Sequence, residues 1–68
     1  MPFEIMVNGE RQTAAEGQTI LDLLNQLQIE PARVAVEMDR RIVKQPLWRE
    51  TALKPGAQLE IVQFVGGG

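Results

Sequence analysis

The sequence predicts an α+β fold in which one helix packs across a mixed sheet of about five strands. Short segments that alternate apolar and polar residues lie on both sides of a single segment with helical spacing. Glycine, proline and asparagine separate these segments, as is typical of tight turns. A chain of 68 residues forms one domain, and a helix with one apolar stripe needs a sheet to cover that stripe.

The first two strands form a predicted hairpin. Residues 3–7 alternate apolar and polar side chains, and residues 10–14 form a more polar return strand. Asn8-Gly9 joins them, and this dipeptide favours a type I′ turn because both central positions of that turn require positive φ.

A single helix follows. Thr19 is a suitable N-cap, and Asp22 three residues later completes a pattern close to a capping box. Pro31 disfavours helical backbone at residue 30, so we expect about two and a half turns. The apolar stripe of this helix comprises Ile20, Leu23, Leu24 and Leu27.

Three more strands are predicted in the second half of the chain. Residues 34–38 and 41–43 form a second hairpin around Asp39-Arg40. We interpret the adjacent Arg40-Arg41 as solvated turn charge; the alternative, docking of an acidic partner, has no further support in the sequence. Trp48 anchors an irregular connection; burial in the core is a better explanation of it than a binding hot spot. Lys54-Pro55-Gly56-Ala57 matches a type II turn, and the last strand is predicted at residues 58–65.

The element order is therefore β-β-α-β-β-β, and the architecture that accommodates it is a β-grasp, or ubiquitin-like, roll. The first and last strands carry the most apolar residues and are expected in the centre of the sheet. The polar second strand and the short fourth strand are expected at the edges.

The alternation within the last strand predicts which side chains stay exposed. Glu60 is expected on the solvent-exposed face of the sheet, so its neighbours Leu59 and Ile61 face the helix. Val62 and Phe64 then lie on the same exposed face as Glu60. Isolated exposed apolar residues are common and need no function. Their closeness to the C-terminal glycines instead suggests a partner-binding patch formed by Met6, Val62 and Phe64.

The composition excludes several classes of function. The formal net charge is −2 and the basic residues are scattered, which argues against nucleic-acid binding. Without His or Cys the chain lacks the common general base, the thiol nucleophile and the usual zinc ligands, so no metal site is expected. The sequence contains neither a membrane-spanning segment nor a signal peptide, and we expect a cytoplasmic protein.

The segment FVGGG after the last strand has two interpretations. It is either a frayed end without function or a tail that enters the active site of another protein. We predict a domain over residues 1–65 and a glycine tail over residues 66–68. The tail is expected to be flexible, because glycine can adopt more φ and ψ values than any other residue.

The whole chain resembles the ThiS family, the β-grasp sulfur carriers of bacterial thiamin thiazole biosynthesis. The resemblance rests on VNGE, GQTILDLLNQL, VAVEMDRRIV and PGAQLEIVQFVGGG, taken together with the short length. It implies that Gly68 carries the reactive carboxylate, preceded by Gly67, and that Val65 and Gly66 contact partners together with the patch.

The resemblance also implies the chemistry. A ThiF-type, E1-like adenylyltransferase uses ATP to convert the carboxylate into an acyl adenylate, and sulfur from a persulfide donor replaces the adenylate. Thiazole synthase then receives sulfur from the resulting thiocarboxylate. The chain would be a co-substrate of these enzymes, not an enzyme, and would bind no cofactor of its own.

Two alternatives remain open at this point. The same chemistry could serve another pathway, as in the small subunit of molybdopterin synthase. A ubiquitin-like modifier would form an isopeptide bond through Gly68, and a plain interaction module would tolerate loss of the tail.

Overall fold

The computed structural model describes residues 1–64, which form a five-stranded mixed sheet covered on one face by one helix. The strand order is β2-β1-β5-β3-β4; β1 and β5 are parallel and the other pairs are antiparallel. This arrangement confirms the predicted fold class and places the two predicted edge strands at the edges. The elements are β1 (Phe3–Val7), β2 (Glu10–Ala14), α1 (Ile20–Gln26), β3 (Val34–Met38), β4 (Arg41–Val43) and β5 (Gln58–Gln63), with short 3-10 helices at Pro31–Arg33 and Gln45–Leu47.

Both hairpins turn through two residues with positive φ. Asn8 and Gly9 have φ values of 51° and 82°, as the predicted type I′ turn requires. Asp39 and Arg40 adopt 52° and 71°, so the second hairpin uses the same turn without a glycine. Asp is one of the few non-glycine residues that tolerate this region.

Helix α1 begins as predicted and ends earlier than predicted. Thr19 and Asp22 form a complete capping box, because each side chain accepts from the other residue's N–H. At the other end Gln28 takes a φ of 59° and the N–H of Ile29 donates to the carbonyl of Leu24 at 2.9 Å. This Schellman-type ending stops the helix after about two turns, before Pro31 has any effect on it.

The core lies between the sheet and α1 and is closed at one side by the long β4–β5 connection. Trp48 is buried and its Nε1 donates to the carbonyl of Val43 at 2.7 Å, which confirms the core interpretation of this residue. Leu53 and Ala57 are also buried, although neither was predicted to belong to the core. The other buried residues are Ile5, Val7, Ala14, Ile20, Leu23, Leu24, Val34, Val36, Leu59 and Ile61.

Strand β5 is shorter than predicted. It follows a type II turn in which Gly56 has a φ of 81° and the N–H of Ala57 donates to the carbonyl of Lys54 at 3.0 Å. The strand ends at Gln63 instead of Val65. The predicted domain end at residue 65 and the predicted flexible tail over residues 66–68 lie outside the described residues.

Candidate functional site

The candidate site is built on β5, which occupies the centre of the sheet. All five residues of β3 pair with β5, from Met38↔Leu59 to Val34↔Gln63. Just beyond β5 the N–H of Phe64 donates to the carbonyl of Arg33 at 2.8 Å, so the backbone is anchored up to Phe64, two residues before Gly66. Four predicted site residues, Val65, Gly66, Gly67 and Gly68, follow this anchor and lie outside the described residues.

Side chains of β5 and its continuation divide between two faces as the sequence predicts. Leu59 and Ile61 face the helix and are 1% and 9% exposed. Val62 and Phe64 lie on the opposite, open face and are 60% and 61% exposed. The structure thus brings two of the predicted partner-binding residues onto an accessible surface at the root of the tail.

The third of these residues, Met6, does not join them. β1 runs parallel to β5 with Met6 beside Gln58, four positions before Val62 along β5. At about 3.3 Å per residue this separates Met6 from Val62 by about 13 Å along the strand. Met6 faces a depression lined by Glu37, Gln58, Glu60 and residues of the two hairpin turns, so the prediction that Met6 joins Val62 and Phe64 in one patch is wrong.

Two residues of the neighbouring strands take the place of Met6. Ala35 of β3 pairs directly with Val62, and Ile42 of β4 is 75% exposed. Both line one depression together with Val62. We define the open-face patch as Ala35, Ile42, Val62 and Phe64.

Sequence reasoning missed Ala35 and Ile42, although the alternation within β3 already contained a signal for the first. Val34 and Val36 are buried, so Ala35 between them must face the other way. Ile42 gave no such signal, because a three-residue strand is too short for alternation to be recognised.

Two carboxylates border the open-face patch. Glu37 of β3 and Glu60 of β5 are direct cross-strand partners on the open face. Like charges in this position destabilise a sheet. Among residues 1–64 the structure contains one ion pair, between the Met1 amine and Glu16 at 3.8 Å. Within these residues, Glu37 and Glu60 therefore form no ion pair with a basic side chain. The patch therefore has an acidic border, although Arg40 lines the same depression as the two carboxylates.

Side chains of the two hairpin turns hold β5 at two points. The N–H of Ile61 donates to Oδ1 of Asn8 at 2.7 Å, and Nδ2 of Asn8 donates to the carbonyl of Ile61 at 3.2 Å. The N–H of Gln58 donates to Oδ1 of Asp39 at 3.0 Å. The sequence indicated only the turn role of these residues, since contacts across the sheet leave no local pattern.

The described side chains of this site can bind a partner, but they include no group that would hold a metal ion. In the part of the chain that the structure covers, no group of three or more possible metal ligands comes together. In that same part no helix is long and apolar enough to cross a membrane. What the side chains of residues 1–64 provide is an apolar face with acidic neighbours, placed beside an anchored strand end.

Comparison with protein families matches residues 5–68 to the model of the ThiS family. The sulfur carrier protein ThiS of Escherichia coli is 31% identical over 66 residues, which cover 97% of this chain and all of that protein. Two proteins named thiazole synthase, from Paramagnetospirillum magneticum and Magnetococcus marinus, are 35% and 37% identical over 66 residues. The chain spans only 20% of the length of each of these two proteins.

Among solved structures, the thiamine biosynthesis protein (ThiS) of Geobacter metallireducens superposes with a TM-score of 0.83 at 29% identity. The superposition covers 97% of this chain and all of that chain. A solution structure of a thiamine biosynthesis protein from the same organism gives a TM-score of 0.74 at 28% identity.

Proposed function

Because this chain belongs to the ThiS family over residues 5–68, we propose that it carries sulfur on the carboxylate of Gly68. In this proposal a ThiF-type adenylyltransferase joins the carboxylate to the AMP moiety of ATP and releases pyrophosphate. The outer sulfur of a persulfide donor then displaces AMP to give an acyl disulfide, and a thiol cleaves its S–S bond, becoming part of a disulfide itself and leaving a thiocarboxylate on Gly68. This thiocarboxylate supplies sulfur for the thiazole ring of thiamin. The chain is a co-substrate without a cofactor of its own, and its place of action is the cytoplasm.

The observation that carries this proposal is the extent of the family match. The family model runs through the last glycine, so the resemblance includes the tail as well as the fold. The relative from Escherichia coli, named a sulfur carrier protein, aligns over its whole length, which supports the same role for a chain of this size.

Glycine suits each step of this chemistry. A carbonyl next to a carbon without Cβ is open to attack from either side. Gly66 and Gly67 can adopt φ and ψ values closed to other residues, so the segment can lie flat in a narrow channel. The tail has to fit the active sites of two different enzymes in turn, and a bulkier segment would fit at most one of them.

The open-face patch supports docking of the adenylyltransferase beside the tail. Phe64 and Val62 are well exposed although apolar, and they lie two and four residues before Gly66. A partner that covers them is positioned to receive Val65 and Gly66 next. The acidic border of Glu37 and Glu60 favours a partner surface with a basic residue at its rim. Met6 lies outside this docking surface.

Thiazole synthase is the acceptor that the comparisons favour. Two proteins with that name contain a segment similar to 97% of this chain, which supports a functional link between the two activities. A carrier for molybdopterin synthesis or a ubiquitin-like modifier would share the fold and the diglycine, so these functions are distinguished by the product that forms on Gly68.

Intact-mass measurement tests the proposal. The protein is incubated with ATP, a ThiF-type adenylyltransferase, a persulfide donor system and a thiol reductant, with reactions lacking ATP as controls. We expect a mass gain equal to the exchange of one oxygen for sulfur. The variant lacking Gly67-Gly68 is expected to show no gain. An unchanged mass with an adenylyltransferase that loads the Escherichia coli carrier would contradict the proposal, and an isopeptide adduct would favour a modifier.

A further inference from the structure

We propose that Asn8 is a positioning residue for the tail, a role that rests on the proposed function. Its carboxamide fixes the last part of β5, and thereby the direction in which the chain leaves the sheet after Phe64. Asn8 itself lies in the β1–β2 turn and does not face the open-face patch.

The need for such a residue arises because β1 is shorter than the strand it accompanies. The parallel β1–β5 ladder includes the bond from Met6 N–H to the Ala57 carbonyl and that from Asn8 N–H to the Leu59 carbonyl, both 2.8 Å. In a regular parallel ladder the next bonds would join Ile61 N–H to the carbonyl of residue 8, and the N–H of residue 10 to the Ile61 carbonyl. The chain instead turns away at Asn8-Gly9.

The side chain of Asn8 supplies both missing groups. Its Oδ1 accepts from Ile61 N–H at 2.7 Å and its Nδ2 donates to the Ile61 carbonyl at 3.2 Å. Both hydrogen bonds are partly buried. One carboxamide thus acts as an additional peptide unit of β1 and extends the ladder beyond the end of that strand.

The turn alone does not require asparagine at this position. Asn8 has a φ of 51°, a value that glycine adopts more easily. Without the carboxamide, residues 61–64 would be held from one side only, by β3 and by the bond from Phe64 N–H to the Arg33 carbonyl. Because small displacements of a reacting group lower rates strongly, this loss of restraint should affect turnover.

The second hairpin offers a matched control. Asp39 also occupies the first position of a type I′ turn, with a φ of 52°, and its Oδ1 accepts a β5 N–H, that of Gln58. It differs from Asn8 in holding the start of β5, six residues before Phe64, a separation of about 20 Å along an extended strand. Asp39→Gly therefore removes a comparable clamp far from the tail.

The experiment compares wild type, Asn8→Gly, Asn8→Asp and Asp39→Gly. Amide hydrogen exchange is measured by NMR at Ile61, relative to Leu59. Adenylation kinetics are measured as pyrophosphate release by a ThiF-type adenylyltransferase, with the carrier as varied substrate. Asn8→Asp keeps an oxygen acceptor for Ile61 N–H but places its second oxygen against the Ile61 carbonyl, so it should be intermediate.

For Asn8→Gly we expect at least tenfold faster exchange at Ile61 and at least a fivefold lower kcat, with KM within twofold because the open-face patch is intact. For Asp39→Gly we expect kcat within twofold of wild type. Faster exchange at Ile61 with unchanged kcat would overturn the positioning role, as would equal losses of kcat in both glycine variants. If the wild type itself is not adenylated, the proposed function fails, and the positioning role fails with it.

Discussion

Replacing Phe64 by alanine should weaken partner binding more than it lowers the stability of the fold, because the Phe64 side chain is mostly exposed. Complete burial of a phenylalanine contributes about 1.5–3 kcal/mol. Phe64 is 61% exposed, so only about two fifths of that contribution is present in the free protein. Phe64→Ala should therefore lower the free energy of unfolding by about 1 kcal/mol or less.

The effect of Phe64→Ala on binding to the adenylyltransferase should be larger than its effect on stability. If docking covers the exposed part of Phe64, the variant loses about 1–2 kcal/mol of binding free energy. Each 1.4 kcal/mol corresponds to about a tenfold change in an equilibrium constant, so the KM for the carrier should rise by roughly 5- to 30-fold. The change should appear in KM, because the residues after Phe64 are unchanged.

The assay is pyrophosphate release by the adenylyltransferase together with thermal unfolding followed by circular dichroism. A loss of 1 kcal/mol lowers the Tm of a domain of this size by about 4–8 °C. Leu47→Ala is the control for loss of an exposed apolar side chain away from Phe64, because Leu47 is 50% exposed and lines a depression on the far side of Ile42, at the edge strand β4; its KM should stay within twofold. A Tm decrease well beyond 10 °C in Phe64→Ala would show that the side chain is part of the core, and an unchanged KM would show that it does not contact the adenylyltransferase. Leu59→Ala, at a side chain only 1% exposed, should cost about 2–5 kcal/mol of stability.

Three further predictions concern the tail, the helix end and the open face. Deleting Gly67-Gly68 should leave the Tm within 2 °C of wild type, on the order of a few tenths of a kcal/mol, but abolish sulfur loading; a large Tm loss would show that the tail packs on the domain. Gln28→Gly should raise the free energy of unfolding in urea by about 0.5–1 kcal/mol, because Gln28 has a φ of 59°, and a decrease would mean that its side chain matters more than its backbone. Glu60→Lys should stabilise the protein by about 0.2–1 kcal/mol by replacing repulsion from Glu37 with attraction. This gain should shrink in 1 M salt, and a gain independent of salt would point to another cause.

The sequence allowed the face of each β5 side chain to be predicted, but not the position of Met6. Alternation depends only on neighbouring residues, so it identified Leu59 as buried and Val62 as exposed. The distance between Met6 and Val62 depends on how β1 and β5 are aligned, and this register is set by contacts across the whole sheet. Alternation along β1 therefore predicted the correct face of the sheet for Met6, but it could not predict how far Met6 lies from Val62.

Other features were missed for a related reason. Leu53 and Ala57 are buried within an irregular connection, where no periodicity distinguishes an inward from an outward residue. The connection is held to the start of α1 by backbone hydrogen bonds such as that from Ile20 N–H to the Thr51 carbonyl at 3.0 Å. The clamp formed by Asn8 joins residues 53 positions apart and has no local signature.

The central place of β5 couples the completion of folding to the presentation of the tail. β5 inserts between β1 and β3, so its contacts with β1 join residues about fifty positions apart along the chain. Pairings between such distant segments form late, because the intervening chain must be ordered first. A molecule that has not yet inserted β5 has neither an assembled open-face patch nor an anchored Phe64. A partner that requires both would thus engage only molecules that have finished folding, and recognition would also serve as quality control.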